Sequence, residues 1–165
     1  MNGKKRITFD IETTGLNPWY GAQITCICAR TQDGESFSMA SEQEDNILEC
    51  FVNWLSYREQ ETFFLLSKNG KMFDVPFIIA RALILGLNTE DFLELLDYDH
   101  FDLQGITKKW ISLDDMARIL RCEVKSGTGL DAIRLFKEGK LEDLEAYCMQ
   151  DVNVTEQVFL RRGSI

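Results

Sequence analysis

Histidine occurs once and proline twice in these 165 residues. With His100 alone, and with no CxxC pair, no Cys/His ligand set of the zinc type is apparent. Pro18 and Pro76 stand alone, and without low-complexity stretches there is no linker or repeat to divide the chain. No apolar run reaches the roughly 18 residues that a bilayer-spanning helix needs. The basic opening "MNGKKR" leads into a strand that carries acids, not into the apolar core of a signal peptide. The five cysteines, Cys26, Cys28, Cys50, Cys122 and Cys148, are odd in number and fall inside predicted strands and helices. They are read as reduced, mostly buried thiols, and the expected location is cytoplasmic. Cys26 and Cys28 project to one side of a strand, for which packing is the reading taken over zinc.

What is present suits one domain over residues 1–165, with 45% apolar and 27% charged residues. The net charge of −9 is unevenly spread. Residues 104–140 hold eight of the 18 Lys/Arg and five of the 27 Asp/Glu, a local balance of +3 against −12 elsewhere. On charge alone that stretch is a solvated helix pair.

Ile7, Phe9 and Ile11 alternate with Thr8, Asp10 and Glu12, the period of a strand. "AQITCICART" and "ESFSMA" read as two further strands joined by the turn "QDGE". Ser41 with Glu44 predicts a capping box for the helix "DNILECFVNWLSY". "TFFLLS" is a short apolar strand, Gly70 is expected to make the following turn, and Pro76 marks the start of a helix. "TEDFLELL" predicts a short helix, "YDHFDL" an extended segment, Ser112 an N-cap, "GLDAIRLF" another short helix, and residues 140–161 a long last one. Strands first, then strands alternating with helices, imply an α/β mixed sheet covered by helices.

Asp10 and Glu12 share one face of the first strand. Asp74 follows a loop just before the Pro76 helix. Asp151 falls within the inward stripe Leu144, Cys148, Thr155, Val158 of the last helix, and Tyr147 lies one turn earlier on the same face. An uncompensated carboxylate there costs on the order of several kcal/mol, so a positive group should face Asp151. Hard divalent cations, Mg²⁺ or Mn²⁺, prefer carboxylate oxygens and account for both the strand-end pair and the helix acid. Taken singly, each residue has a plain structural role: a solvated strand end, a helix cap, a core tyrosine, an arginine partner.

Together, "FDIETTGL", "NGKMFD" (Asn69 to Asp74) and "YCMQD" (Tyr147 to Asp151) resemble the three motifs of the DEDD-type 3′–5′ exonucleases of the ribonuclease H-like superfamily. Yx₃D in the third resembles the DEDDy subgroup, and the whole is similar to the exonuclease domains of family B DNA polymerases. The resemblance spans about residues 5 to 160. It implies a five-stranded mixed sheet of order 3-2-1-4-5 with strand 2 antiparallel, and two divalent metal ions, Mg or Mn, held by Asp10, Glu12, Asp74 and Asp151. It further implies that Tyr147 orients the attacking water, that Asn69 and Thr13 contact the terminal nucleotide, and that Leu16 packs on its base. The implied substrate is the 3′ end of single-stranded DNA or RNA, DNA favoured. The implied product is a nucleoside 5′-monophosphate.

Given that substrate, the basic stretch gains a role, with Lys108, Lys109, Arg121 and Lys125 as candidates to hold phosphates behind the scissile one. Trp110 is read as a core residue before a stacking one. A protein partner that the sequence does not name could add affinity. Two other readings stay open. A haloacid dehalogenase-type phosphatase would use Asp10 as nucleophile and "SLDDMA" for its later acids, and a silent nucleic-acid-binding subunit could keep the same fold.

Overall fold

The computed structural model describes residues 3–58, 63–124 and 127–161. Its strands are β1 (Lys5–Thr13), β2 (Ile24–Thr31), β3 (Ser36–Ala40), β4 (Phe63–Ser67) and β5 (His100–Asp102). Its helices are α1 (Glu44–Ser56), α2 (Asp74–Leu85), α3 (Thr89–Leu93), α4 (Leu113–Ile119), α5 (Gly129–Lys137) and α6 (Leu141–Arg161). Among the described residues these strands form one mixed sheet, ordered β3-β2-β1-β4-β5. β2 is antiparallel to β1 and β3, whereas β4 runs parallel to β1 and β5 parallel to β4. No helix among the described residues is long and apolar enough to cross a membrane.

The alternation in β1 divides the molecule into two sides. Ile7, Phe9 and Ile11 enter the larger core with Phe51 and Leu55 of α1 and Phe77 and Ile78 of α2. Arg6, Thr8, Asp10 and Glu12 face the other way, toward α6. Glu156 of α6 accepts from Arg6 Nη2 at 2.7 Å, and Cys148 Sγ lies 3.5 Å from the Asp10 carbonyl. α6 thus runs antiparallel to β1. Nearer its N-terminus, Glu145 accepts from Ser38 Oγ and the Ala40 N–H, both at 2.9 Å, which fixes the helix across β3. These polar anchors set the height at which the middle of α6 meets β1.

Local signals set several element ends. The Ser112 side chain caps α4 by accepting the Asp115 N–H, and Thr128 with Asp131 forms a capping box on α5. The expected box on α1 does not form. Its N-cap is Gln43, whose N–H is taken by Ser41 Oγ at 3.0 Å. Glu44 is buried instead, paired with Arg81 of α2 at 2.6 Å and accepting the Ile24 N–H at 2.7 Å. Arg81 also donates to the Pro18 carbonyl at 3.3 Å, so this ion pair holds α1, α2 and the β1–β2 connection together. Burial of a fork-shaped charge pair outweighed one exposed cap bond.

Candidate active site

The pairing of β1 with β4 runs from Lys5↔Phe63 to Thr8↔Leu66. β4 then ends at Ser67 while β1 continues to Thr13, so the carboxyl ends of the two strands stand at different heights, the place where open α/β sheets carry their binding crevice. The chain leaving β4 turns tightly there. Asn69, not Gly70, adopts the left-handed conformation, with φ of 68°. Gly70 is needed for another reason: a Cβ at that position would stand 2.3 Å from Ser67 Oγ. The Asp102 carboxylate at the end of β5 accepts the N–H groups of Asn69 (2.7 Å), Lys71 (3.1 Å) and Gln104 (2.9 Å). That turn delivers Asp74, only 3% exposed, into the crevice as the first residue of α2.

Three elements bring their acids to this place. The Asp74 carboxyl faces the N–H of Ile11, the residue between Asp10 and Glu12. It lies close enough to Asp151 to feel its charge. Burial, opposed by the N–H groups of Asp74 itself and of Ile11 and reinforced by the charges of Asp102 and Asp151, pushes the Asp74 carboxyl up to about 7. Carboxylate oxygens of Asp10 and Glu12 and the Cys148 sulfur all lie within 4.8 Å of one another. Asp10 is part-exposed, whereas Glu12, Tyr147 and Asp151 are buried on the same side. Hard oxygen donors gathered on one side of the sheet suit Mg²⁺ or Mn²⁺, since a divalent cation removes the repulsion that burial amplifies.

The Tyr147 ring forms one wall of a cavity of about 410 Å³ that Arg134 and Gln150 also line. Gly127, with φ of 99°, passes so close that a Cβ there would meet Tyr147 Cε2 at 3.1 Å. The candidate nucleotide contacts are more dispersed. Thr13 Oγ1 donates to the Gly15 carbonyl at 2.7 Å, Leu16 is 86% exposed, and Asn69 is half-buried in its turn.

Lys108, Lys109 and Arg121 are exposed, and Lys125 lies outside the described residues. Lys109 borders an apolar groove of about 530 Å³ with Ile106, Trp110, Met116, Ile119 and Val158. Val158 lies two helical turns beyond Asp151, so Lys109 rims a surface leading away from the acids. Trp110 is not a core residue: it is 68% exposed, with Lys68 Nζ 3.9 Å from its ring centroid. Asp114 and Asp115 sit in the first turn of α4, where Ser112 Oγ donates to Asp115 Oδ2 at 2.7 Å.

Residue-by-residue reading missed Asp102, Gly127 and the meeting of Cys148 with Cys26 and Cys28. Asp102 carried a faint signal, an acid two residues before Gln104 at a predicted strand end. The thiol cluster was half legible, since Cys26 and Cys28 share a strand face, but Cys148 stands 120 residues beyond Cys28 in the chain.

The fold and the convergence of acids from β1, α2 and α6 define an α/β domain of the ribonuclease H-like class. The chain belongs to a family described as predicted 3′–5′ exonucleases related to the exonuclease domain of PolB, whose model matches residues 21–165. The strand carrying Asp10 and Glu12 precedes the matched range. A comparison with curated protein sequences gave no match. Among solved structures, the family B DNA polymerase from the hyperthermophilic archaeon Pyrobaculum calidifontis is similar, with a TM-score of 0.78 at 17% identity. The similarity covers 92% of this chain and 23% of that polymerase, so the chain spans about a quarter of its length.

Proposed function

We propose that residues 1–165 form a single metal-dependent 3′–5′ exonuclease domain of the DEDDy kind, acting on single-stranded nucleic acid, DNA in preference to RNA. The observation that supports this most is the approach of Asp74 to the backbone between Asp10 and Glu12, within the field of Asp151. Asp10, Glu12, Asp151 and Asp74 would hold two divalent ions, Mg or Mn, which when bound supply an activated water and stabilise the departing 3′-oxygen.

The remaining work falls to the chain. Tyr147 directs its hydroxyl at the attacking water and fixes its orientation; it serves as a positioning group and not as the base. The missing side chain at Gly127 leaves room for the Tyr147 ring. The turn fixed by Asp102 presents Asn69 to the terminal nucleotide, and Leu16, exposed in the bend that follows β1, packs on its base. The terminal base must leave any duplex to enter the crevice, which favours single strands. Lys108, Lys109, Arg121 and Lys125 attract the phosphates that follow. The product is a nucleoside 5′-monophosphate, and the work is done in the cytoplasm.

The test is a digestion of 5′-labelled single-stranded DNA and RNA with Mg²⁺, Mn²⁺ or EDTA. A ladder shortening one nucleotide at a time from the 3′ end, abolished by EDTA, is expected. Endonucleolytic fragments, or no cleavage of either polymer with either ion, would overturn the proposal.

A further inference from the structure

The face of the sheet beneath α6 carries a second set of ligands beside the acids. In the β1–β2 ladder Asp10 stands directly opposite Cys28, and Glu12 directly opposite Cys26. Opposed residues of an antiparallel pair project to the same side. Two carboxylates and two thiols therefore form a square, hard on β1 and soft on β2. Cys148 of α6 roofs both halves: its sulfur lies 3.5 Å from the Asp10 carbonyl and 3.9 Å from Asp10 Oδ2. The sulfurs of Cys26, Cys28 and Cys148 all lie within 4.8 Å of one another, and all three residues are fully buried.

Buried free cysteines commonly serve as small apolar fillers. The spacing here suits more than that. Cys26 Sγ and Cys28 Sγ are 3.8 Å apart. Two sulfurs at about 2.3 Å from one tetrahedral zinc are separated by about 3.8 Å, the edge of the tetrahedron. Asp10, part-exposed at the mouth of the square, gives an ion a way in.

We propose that Cys26, Cys28 and Cys148 form a binding site for a thiophilic divalent ion of the zinc and cadmium class, with the Asp10 carboxylate, which now lies beside Cys148 and Glu12, turning in as fourth ligand. Binding releases the three thiol protons to water and transfers no electrons. Three thiolates and a carboxylate around one such ion carry the same formal charge as a four-thiolate zinc site. Because Cys148 belongs to both halves and lies 3.9 Å from Asp10 Oδ2, an ion in the soft half that recruits this carboxylate withdraws it from the hard one. Zinc then inhibits a Mg²⁺-supported reaction; that consequence, unlike the binding itself, rests on the proposed nuclease function.

The experiment titrates the full-length, metal-free, reduced protein with Co²⁺. One ion per chain should produce an intense thiolate-to-cobalt charge-transfer band with tetrahedral d–d absorption, bleached by stoichiometric Zn²⁺ and unaffected by Mg²⁺. Cys26→Ser and Cys28→Ser should each weaken Co²⁺ binding at least about tenfold, as losses around metal sites do. They should also relieve zinc inhibition while leaving Mg²⁺-supported cleavage in place. In mild urea, where the buried thiols open to reagent, Zn²⁺ but not Mg²⁺ should protect three thiols of the parent protein from alkylation while Cys50 and Cys122 react, a readout independent of whether the serine variants fold. Co²⁺ bound with only a weak octahedral spectrum, or a charge-transfer band surviving in C26S/C28S, would overturn the site. A thiolate band in a protein that cleaves nothing upholds the site and refutes the nuclease reading. Cleavage without the band does the reverse.

Discussion

The Asp74 carboxyl meets the backbone N–H of Ile11, so the second acidic element is keyed to the peptide that separates Asp10 from Glu12. This meeting point lies beyond the last β1–β4 pair, Thr8↔Leu66, where the parallel ladder has ended and β1 still has donors to offer. A carboxylate at the start of α2 takes up one of them. The same act that satisfies the strand end brings a third acid to the strand of Asp10 and Glu12.

Those acids are expected to cost stability when no cation is bound. Asp10→Ala and Asp151→Ala should keep the fold and lose cleavage, and Asp10→Asn should leave the metal-free melting temperature unchanged or higher. Circular dichroism and thermal melts in EDTA check this. Collapse of both alanine variants would mean that the acids form a structural network.

Tyr147→Phe keeps the ring that packs against Gly127 and removes only the hydroxyl. Cleavage should slow by the equivalent of about 2–4 kcal/mol, the scale of losing one positioned donor, with Mn²⁺ affinity unchanged. Single-turnover rates alongside a Mn²⁺ titration measure both. An unaltered rate would leave Tyr147 as a core residue.

The buried pair Glu44–Arg81, with both side chains 6% exposed, should be costly to break from one side. Arg81→Met leaves the Glu44 charge without its guanidinium and should cost about 3–5 kcal/mol. Glu44→Gln with Arg81→Met should recover part of that. Urea denaturation of the single and double variants decides it. A loss below about 1 kcal/mol in Arg81→Met would show that the pair does not hold the β1–β2 connection.

His100 links stability to acid. Burial lowers its pKa from 6.5 to about 4, with Asp102 opposing and Lys71 adding to the shift; its Nε2 lies 2.7 Å from Ser67 Oγ, and its ring tilts against Phe9. Between those values the unfolded chain binds a proton that the folded one does not. Stability from this residue is therefore complete above pH 6.5, declines as the pH falls toward about 4, and levels off below. Urea midpoints for the parent and for His100→Gln from pH 7.5 to 4 should diverge in that window, the variant declining less. Parallel curves would exclude His100 as the source.

For the cations, changing Lys108, Lys109, Arg121 and Lys125 to Ser should weaken single-strand binding and flatten its salt dependence. The slope of log affinity against log salt should fall by about 0.7 for each phosphate that is no longer neutralised. Cleavage of a dinucleotide should be nearly unaffected. If short and long substrates suffer equally, or neither does, the rim of the groove is solvated surface and the strand enters elsewhere.

How much of this was legible in the chain depended on how local the cause was. The period of β1, the Ser112 cap and the stripe of α6 are set within a few residues and emerged as expected. So did the sheet order, which followed from the motif resemblance. The α1 terminus was misread because Glu44 answers to Arg81, 37 residues away, and not to Ser41 beside it. At the second motif the glycine was assigned the turn that Asn69 makes, because the true constraint on Gly70 is the nearness of Ser67, which no local pattern encodes. Trp110 looked like core by residue type, yet a half-buried lysine holds it at the surface.

The central claim is that Asp10, Glu12, Asp74 and Asp151 act as one cation site. Mn²⁺ binding followed by electron paramagnetic resonance tests it most directly, comparing the parent with Asp74→Asn and Asp151→Ala at equal fold content. The account predicts that the parent immobilises Mn²⁺ and that each variant, altered on a different helix, binds at least about tenfold more weakly. Undiminished Mn²⁺ binding in both variants would contradict it.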